Sequence, residues 1–252
     1  MTDLSIGQGC DNRCATPLDF SFTMAFQPVV DVAQRRIYAY EALVRGDDGA
    51  GAASVLARVT DDNRYAFDQA CRVKAIETAA ALGLDRRLNI NFLPNAVYHP
   101  EACLRLTLAS AKQHGFPEHL ITFEFTEDEH IHNRPHLRSI IETYRQHGIR
   151  TALDDFGAGY AGLSLLADFQ PDILKIDRCL ITRVDQSPAR QAIITGLVKT
   201  TEMLGLSVVA EGTERIEEVR MLHDMGINLF QGYYFARPQI GRLVGDDQIP
   251  WL

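Results

Sequence analysis

The chain has 252 residues, 46% of them hydrophobic. That is enough to bury one large core, and it fits one α/β barrel as well as two small domains. Its 33 acidic and 25 basic residues leave a net charge of −8, a surface unsuited to non-specific binding of nucleic-acid polymers or membranes.

No run approaches the ~18 apolar residues of a membrane span, and the polar N-terminal stretch holds no hydrophobic signal region. The five cysteines, Cys10, Cys14, Cys71, Cys103 and Cys179, are an odd and sparse set, which reads as a cytoplasmic protein with free thiols. Cys10 and Cys14 have no second ligand pair nearby. The expectation is a flexible arm over residues 1–20 and a single domain over 21–252.

Thr23–Val30 and Ile37–Val44 are short apolar stretches with only Asp31–Arg36 between them. A parallel crossover needs about a dozen residues or more, so these two strands are expected to be antiparallel neighbours. A polar, Gly-rich loop follows over Asp47–Ala52, then a helix over Tyr65–Leu82 that ends near Gly83. From there strands and helices alternate. Strands are predicted at Leu88–Phe92, Leu120–Phe125, Arg150–Leu153, Ile173–Ile176, Ser207–Ala210 and Asn228–Phe230. Helices closed by Gly115, Gly148, Gly205 and Gly226 lie between them, with a short one near Ala161–Asp168. The pattern fits a TIM-like (β/α)8 barrel with an antiparallel first strand; an open doubly wound sheet is the alternative.

Functional residues of such barrels collect where strands end. There the sequence offers Gln27, Glu41, Asn91, Glu124, Asp154, Asp155, Lys175, Glu211 and Gln231. Adjacent strand residues point to opposite faces, so Asp154 and Asp155 can share a target only where the strand ends and the chain turns. Two like charges this close are costly unless a positive charge sits between them. All candidate ligands are oxygen donors, which favours Mg²⁺ or Mn²⁺ over Zn²⁺. Five carboxylates exceed the needs of one ion and suit two that share a bridging group. Tyr233, Tyr234 and Phe235 either stack on a base or pack the barrel end.

At these residues the chain resembles the EAL family of cyclic di-GMP phosphodiesterases. The naming motif stands as Glu41-Ala42-Leu43-Val44-Arg45. With it, in order, stand Phe26-Gln27-Pro28, Ile90-Asn91-Phe92, Glu124-Phe125-Thr126-Glu127, Asp154-Asp155-Phe156-Gly157, Leu174-Lys175-Ile176-Asp177, Ala210-Glu211-Gly212-Thr213-Glu214 and Gln231-Gly232-Tyr233. The resemblance implies a metal-dependent phosphodiesterase that hydrolyses cyclic di-GMP to the linear dinucleotide pGpG with water activated by two metal ions. One ion would be held by Glu41, Asn91, Glu124 and Asp154, the other by Asp154, Asp155 and Glu211. Lys175 and Glu211 would act in the chemistry, and Glu127 would pin the Asp154–Asp155 loop. Gln27, Leu43, Arg45 and Gln231 would contact substrate. It further implies a homodimer. Ca²⁺, a poorer Lewis acid with looser geometry, is expected to inhibit.

Ala158 and Ala161 stand where relatives often carry Thr and Ser, and Leu93 where they often carry Ser; none of these is a ligand position. Gly157-x-Gly159-x-x-Gly162 matches a dinucleotide fingerprint literally, but it follows the fifth strand and two carboxylates that repel a pyrophosphate. The rival reading is a catalytically silent EAL module that serves as a cyclic di-GMP receptor or protein-interaction domain. A complete ligand set separates the enzyme from it.

Overall fold

The computed structural model describes residues 18–97, 99–126, 133–159 and 162–252. Eight strands close a barrel: β1 (Thr23–Asp31), β2 (Arg36–Arg45), β3 (Arg87–Asn91), β4 (Ile121–Thr126), β5 (Arg150–Phe156), β6 (Ile173–Ile176), β7 (Ser207–Ala210) and β8 (Leu229–Phe230). β2 to β8 are parallel in sequence order, and β1 closes the ring antiparallel to both β2 and β8. The short link between the first two strands therefore has the consequence expected of it. The helices are α1 (Ala52–Leu56), α2 (Arg64–Ala81), α3 (Pro100–His114), α4 (Arg134–Gln146), α5 (Gly162–Asp168), α6 (Arg178–Ile181), α7 (Pro188–Leu204) and α8 (Ile216–Asp224). Two of them, α1 and α6, were not anticipated; each is too short to show a helical period.

Side chains alternate along each strand, and the alternation sorts the core in two. Phe26, Phe123, Phe125, Leu153, Leu174 and Phe230 face outward into the main apolar core shared with the helices. Val29, Ala39, Ala152, Ile173, Val209 and Leu229 form a separate apolar plug inside the ring. One pleat further toward the mouth, two residues on along the parallel strands or just past their ends and two residues back in the antiparallel β1, stand Glu41, Asp154, Lys175, Glu211, Gln231 and Gln27. The plug is the floor on which the polar set rests.

Three departures from the sequence reading matter. First, β5 does not end at Leu153 but runs on to Phe156, and its pairing with β6 shifts register between Leu153 and Phe156. Asp155 sits there in the left-handed region, at φ 53°. A bulge, not a strand end, brings the two carboxylates onto one side. Second, a two-residue strand, β9 (Gln239–Ile240), pairs antiparallel with β1. Beyond it the C-terminal strap lies over the β1–β2 hairpin, which has no crossover helix to cover it. There Tyr40 donates its hydroxyl to the Val244 carbonyl, and Asp246 accepts from the Ile37 amide at 2.6 Å and from Arg86 at 3.1 Å. Third, the arm expected over residues 1–20 lies outside the described residues as far as residue 17. Phe20 is packed, its ring 6.0 Å from that of Phe67 and 4.6 Å from the Arg58 guanidinium.

Candidate active site at the barrel mouth

A cavity of about 390 Å³ opens at the C-terminal ends of the strands. Gln27, Glu41, Leu43, Asn91, Asp154, Asp155, Glu211 and Gln231 line it. The backbone that shapes it tolerates little change. A Cβ on Gly232 would lie 2.1 Å from the Thr213 carbonyl oxygen, so the turn after Gln231 closes only with glycine. Gly157 has φ 101°, and a Cβ there would meet the Leu180 side chain of α6 at 2.5 Å.

Lys175 stands at the centre, fully buried. Its ammonium lies 2.7 Å from Glu211, 2.9 Å from Glu124, 3.0 Å from Asp154 and 3.4 Å from Glu41. Amides fix the remaining oxygens. Asn89 donates to Glu124 Oε1 at 2.8 Å and Asn91 to Glu41 Oε1 at 2.9 Å. Gln231 donates to Glu41 Oε2 at 2.7 Å and to Gln27 Oε1 at 3.3 Å, and Gln27 to the Ala236 carbonyl. The Asp155 amide closes back onto Asp154 Oδ1 at 2.8 Å.

The charges do not balance. Burial pushes the Glu124 carboxyl well above its usual range; Lys175 opposes this, while Glu41 and Asp154 add to it. Burial likewise raises Glu211, with Asp154 adding to it. Burial and then Asp154 push Asp155 up to about 6. For Lys175 burial alone would lower the pKa, and the facing carboxylates, Asp154 first, raise it well above that of a free lysine instead. With all five carboxylates ionised against one ammonium, four negative charges would remain, which two divalent cations would neutralise.

Ligand atoms of Glu41, Glu124 and Asp154 lie within 4.8 Å of one another, and so do those of Asp154, Asp155 and Glu211. The two groups share Asp154. With all-oxygen donors, excess negative charge and a shared carboxylate, the residues fit a pair of hard cations. Asn91, exposed at the mouth, commits its amide nitrogen to Glu41, so its carboxamide oxygen is the end suited to a cation.

The structure brings most of the candidates from the sequence to this mouth. Arg45 is the exception: its Nη1 folds back onto the Val44 carbonyl at 2.7 Å, so contact with a ligand there requires another rotamer. Glu127 and Tyr160 lie outside the described residues. Of the aromatic trio, Phe235 packs on Phe230 and Tyr234 on Phe235, whereas Tyr233 is 48% exposed and lines the cavity. The sequence reading passed over Asn89. It shares a strand face with Asn91, two residues on, and that spacing was the available signal.

The EAL domain family model matches residues 18–238. The chain belongs to the EAL family. It is 36% identical over 252 residues to the Blue light- and temperature-regulated antirepressor BluF of Escherichia coli, covering 98% of this chain and 62% of BluF. The chain thus spans less than two thirds of that relative's length. Among solved structures, a standalone versatile EAL protein from Vibrio cholerae in its c-di-GMP bound form is 50% identical. The match covers 91% of this chain and 97% of that one, with a TM-score of 0.88. BlrP1 of Klebsiella pneumoniae, as a manganese/cy-diGMP complex, is 38% identical with a TM-score of 0.83, over 87% of this chain and 56% of that one. Its calcium/cy-diGMP complex is 36% identical with the same TM-score, over 94% and 59%. No helix among the described residues of this EAL chain is long and apolar enough to cross a membrane.

Proposed function

We propose that this EAL chain is a cyclic-guanylate-specific phosphodiesterase that hydrolyses cyclic di-GMP to pGpG with two Mg²⁺ or Mn²⁺ ions. The observation that carries the reading is the pair of carboxylate groups sharing Asp154 at the barrel mouth. Glu41, Asn91, Glu124 and Asp154 would hold one ion, and Asp154, Asp155 and Glu211 the other. Such ions supply an acidified water and neutralise charge on the phosphate. The similarity to BlrP1, solved with manganese and cy-diGMP, supports the same cofactor class.

The chain's own groups have distinct tasks. Glu211 is half-buried at the mouth, with a raised pKa, and suits a group that accepts the proton of the attacking water. Lys175 stays protonated among four carboxylates and keeps them from drifting apart as charge moves. Gln27, Leu43 and Gln231 line the cavity where the dinucleotide would lie, and Arg45, once rotated, can grip a phosphate in bidentate fashion. Glu127 would steady the Asp154–Asp155 loop. A homodimer acting in the cytoplasm, with Ca²⁺ as inhibitor, belongs to the same reading.

The second reading is a silent module that binds cyclic di-GMP or a protein without hydrolysis. The similarity to BluF, described as an antirepressor, favours it. Chromatography of cyclic di-GMP incubated with the chain and Mn²⁺ separates the two. The enzyme reading predicts conversion to pGpG and its loss in Asp154→Asn, which keeps the fold because the residue lies at the mouth. Cyclic di-GMP recovered intact, or Asp154→Asn turning over normally at saturating Mn²⁺, contradicts it.

A further inference from the structure

A buried ion pair lies outside the site, in the layer between barrel and helices. Asp68 and Arg72 stand one turn apart on α2, 4% and 0% exposed, with Arg72 Nη2 2.7 Å from Asp68 Oδ2. Arg72 Nη1 donates to the Tyr144 hydroxyl at 3.2 Å. Its guanidinium lies 5.4 Å from the Phe92 ring centre and 4.8 Å from that of Phe123. The other carboxylate oxygen, Asp68 Oδ1, accepts the backbone N–H of Leu93 at 2.9 Å. Phe92 in turn donates its own N–H to the Glu124 carbonyl at 2.9 Å. Both residues that follow Asn91 are therefore held, one by its backbone and ring, the other by its backbone.

Stability alone does not account for this pair. Buried ion pairs are often replaceable by apolar residues of similar volume without loss, because desolvation offsets the attraction. What apolar residues cannot provide is an acceptor for the Leu93 N–H, a backbone donor at the edge of the core. Asn91 itself is exposed at the mouth and its amide nitrogen reaches Glu41 Oε1 at 2.9 Å; the rotamers open to so short a side chain are set by the course of its backbone.

We propose that Asp68 is a positioning residue for Asn91: by clamping the Leu93 amide it sets the Asn91 carboxamide beside Glu41, where an ion is received. This rests on the two-cation reading above. Arg72, 2.7 Å from the other carboxylate oxygen, serves by keeping Asp68 aimed at Leu93. Asp68 touches neither ion nor substrate; its effect runs through one peptide turn.

The test is calorimetric titration of the whole chain with Mn²⁺, with no substrate present, alongside thermal melting. The apolar pair Asp68→Leu with Arg72→Met should keep a cooperative melt yet lose about tenfold or more in affinity at one ion, the usual effect of removing a residue that orients a metal ligand. Asp68→Glu keeps the charge but moves the acceptor, and should show the same loss even if the apolar pair does not fold. Asp68→Asn keeps an oxygen toward Leu93 and should bind within about twofold of the wild type, the limit of additivity between independent sites. In an Asn91→Ala background, Asp68→Glu should have no further effect. Wild-type affinity in Asp68→Glu, or a loss that adds in full to that of Asn91→Ala, overturns the proposal while leaving the two-cation reading standing. A wild-type chain that binds no Mn²⁺ overturns both.

Discussion

Asp155 shows most directly how the site couples charge to protonation. Its carboxyl is pushed up to about 6, by burial first and by Asp154 next. A raised carboxyl pKa favours the protonated form in the folded chain. The associated stability is present below the unfolded value, near 3.8, and is lost as pH rises through about 6. A cation needs the carboxylate, so ion binding must displace that proton. Mn²⁺ affinity should therefore climb as pH rises through about 6, with proton release on the acid side. Titrations in two buffers of different ionisation enthalpy measure this. Heats that do not depend on the buffer below that pH would contradict it. At this scale the sequence placed the candidate carboxylates well, because each stands near a strand's mouth end, where the barrel gathers them. It did not show Asp68 and Arg72. On a helix, an acid and a base four apart read as a solvated pair, and only the packing of α2 on β3 and β4 reveals that both are buried.

The bulge in β5 is an element-scale device with a cost. An L-residue in the left-handed region gives up roughly 1–2 kcal/mol, less for Asp than for most. Asp155→Gly removes that strain and one of the crowded carboxylates. It should raise the thermal stability of the cation-free chain by about 1 kcal/mol, and it should weaken the second ion and stop hydrolysis. A melt that moves down instead would show that the bulge is not strained. The strap offers the converse case. Asp246→Ala unpins Ile37 and Arg86 and should cost about 1–3 kcal/mol in chemical denaturation. Turnover should be unchanged, since the strap lies outside the ring near the strand ends opposite the mouth. Neither device was legible in the chain. The bulge hides because Arg150–Phe156 carries no glycine or proline to mark it, and the strap because a two-residue strand has no period. The helix ends were legible for the opposite reason. Gly115 and Gly205 adopt the left-handed cap conformation, at φ 68° and 71°, which other residues adopt at a cost.

For the whole molecule, the barrel explains why so much was readable. Parallel strands buried on both faces give continuous apolar runs, and each must be followed by a covering element, so the order of elements is nearly the fold. The exception, β1, was readable too, because six residues cannot carry a crossover. Closure then does what no single segment can. It stacks a polar ring on an apolar plug and brings residues as distant in sequence as Glu41 and Gln231 to 2.7 Å. The central claim is that this ring holds two cations on a shared Asp154. Anomalous scattering from crystals soaked with Mn²⁺ and cyclic di-GMP, recorded at the manganese edge, measures it directly. The account predicts two peaks at the barrel mouth, with Asp154 ligating both, Glu41 and Glu124 on one side, and Asp155 and Glu211 on the other. A single peak, or two peaks with Asp154 bound to only one, would contradict it.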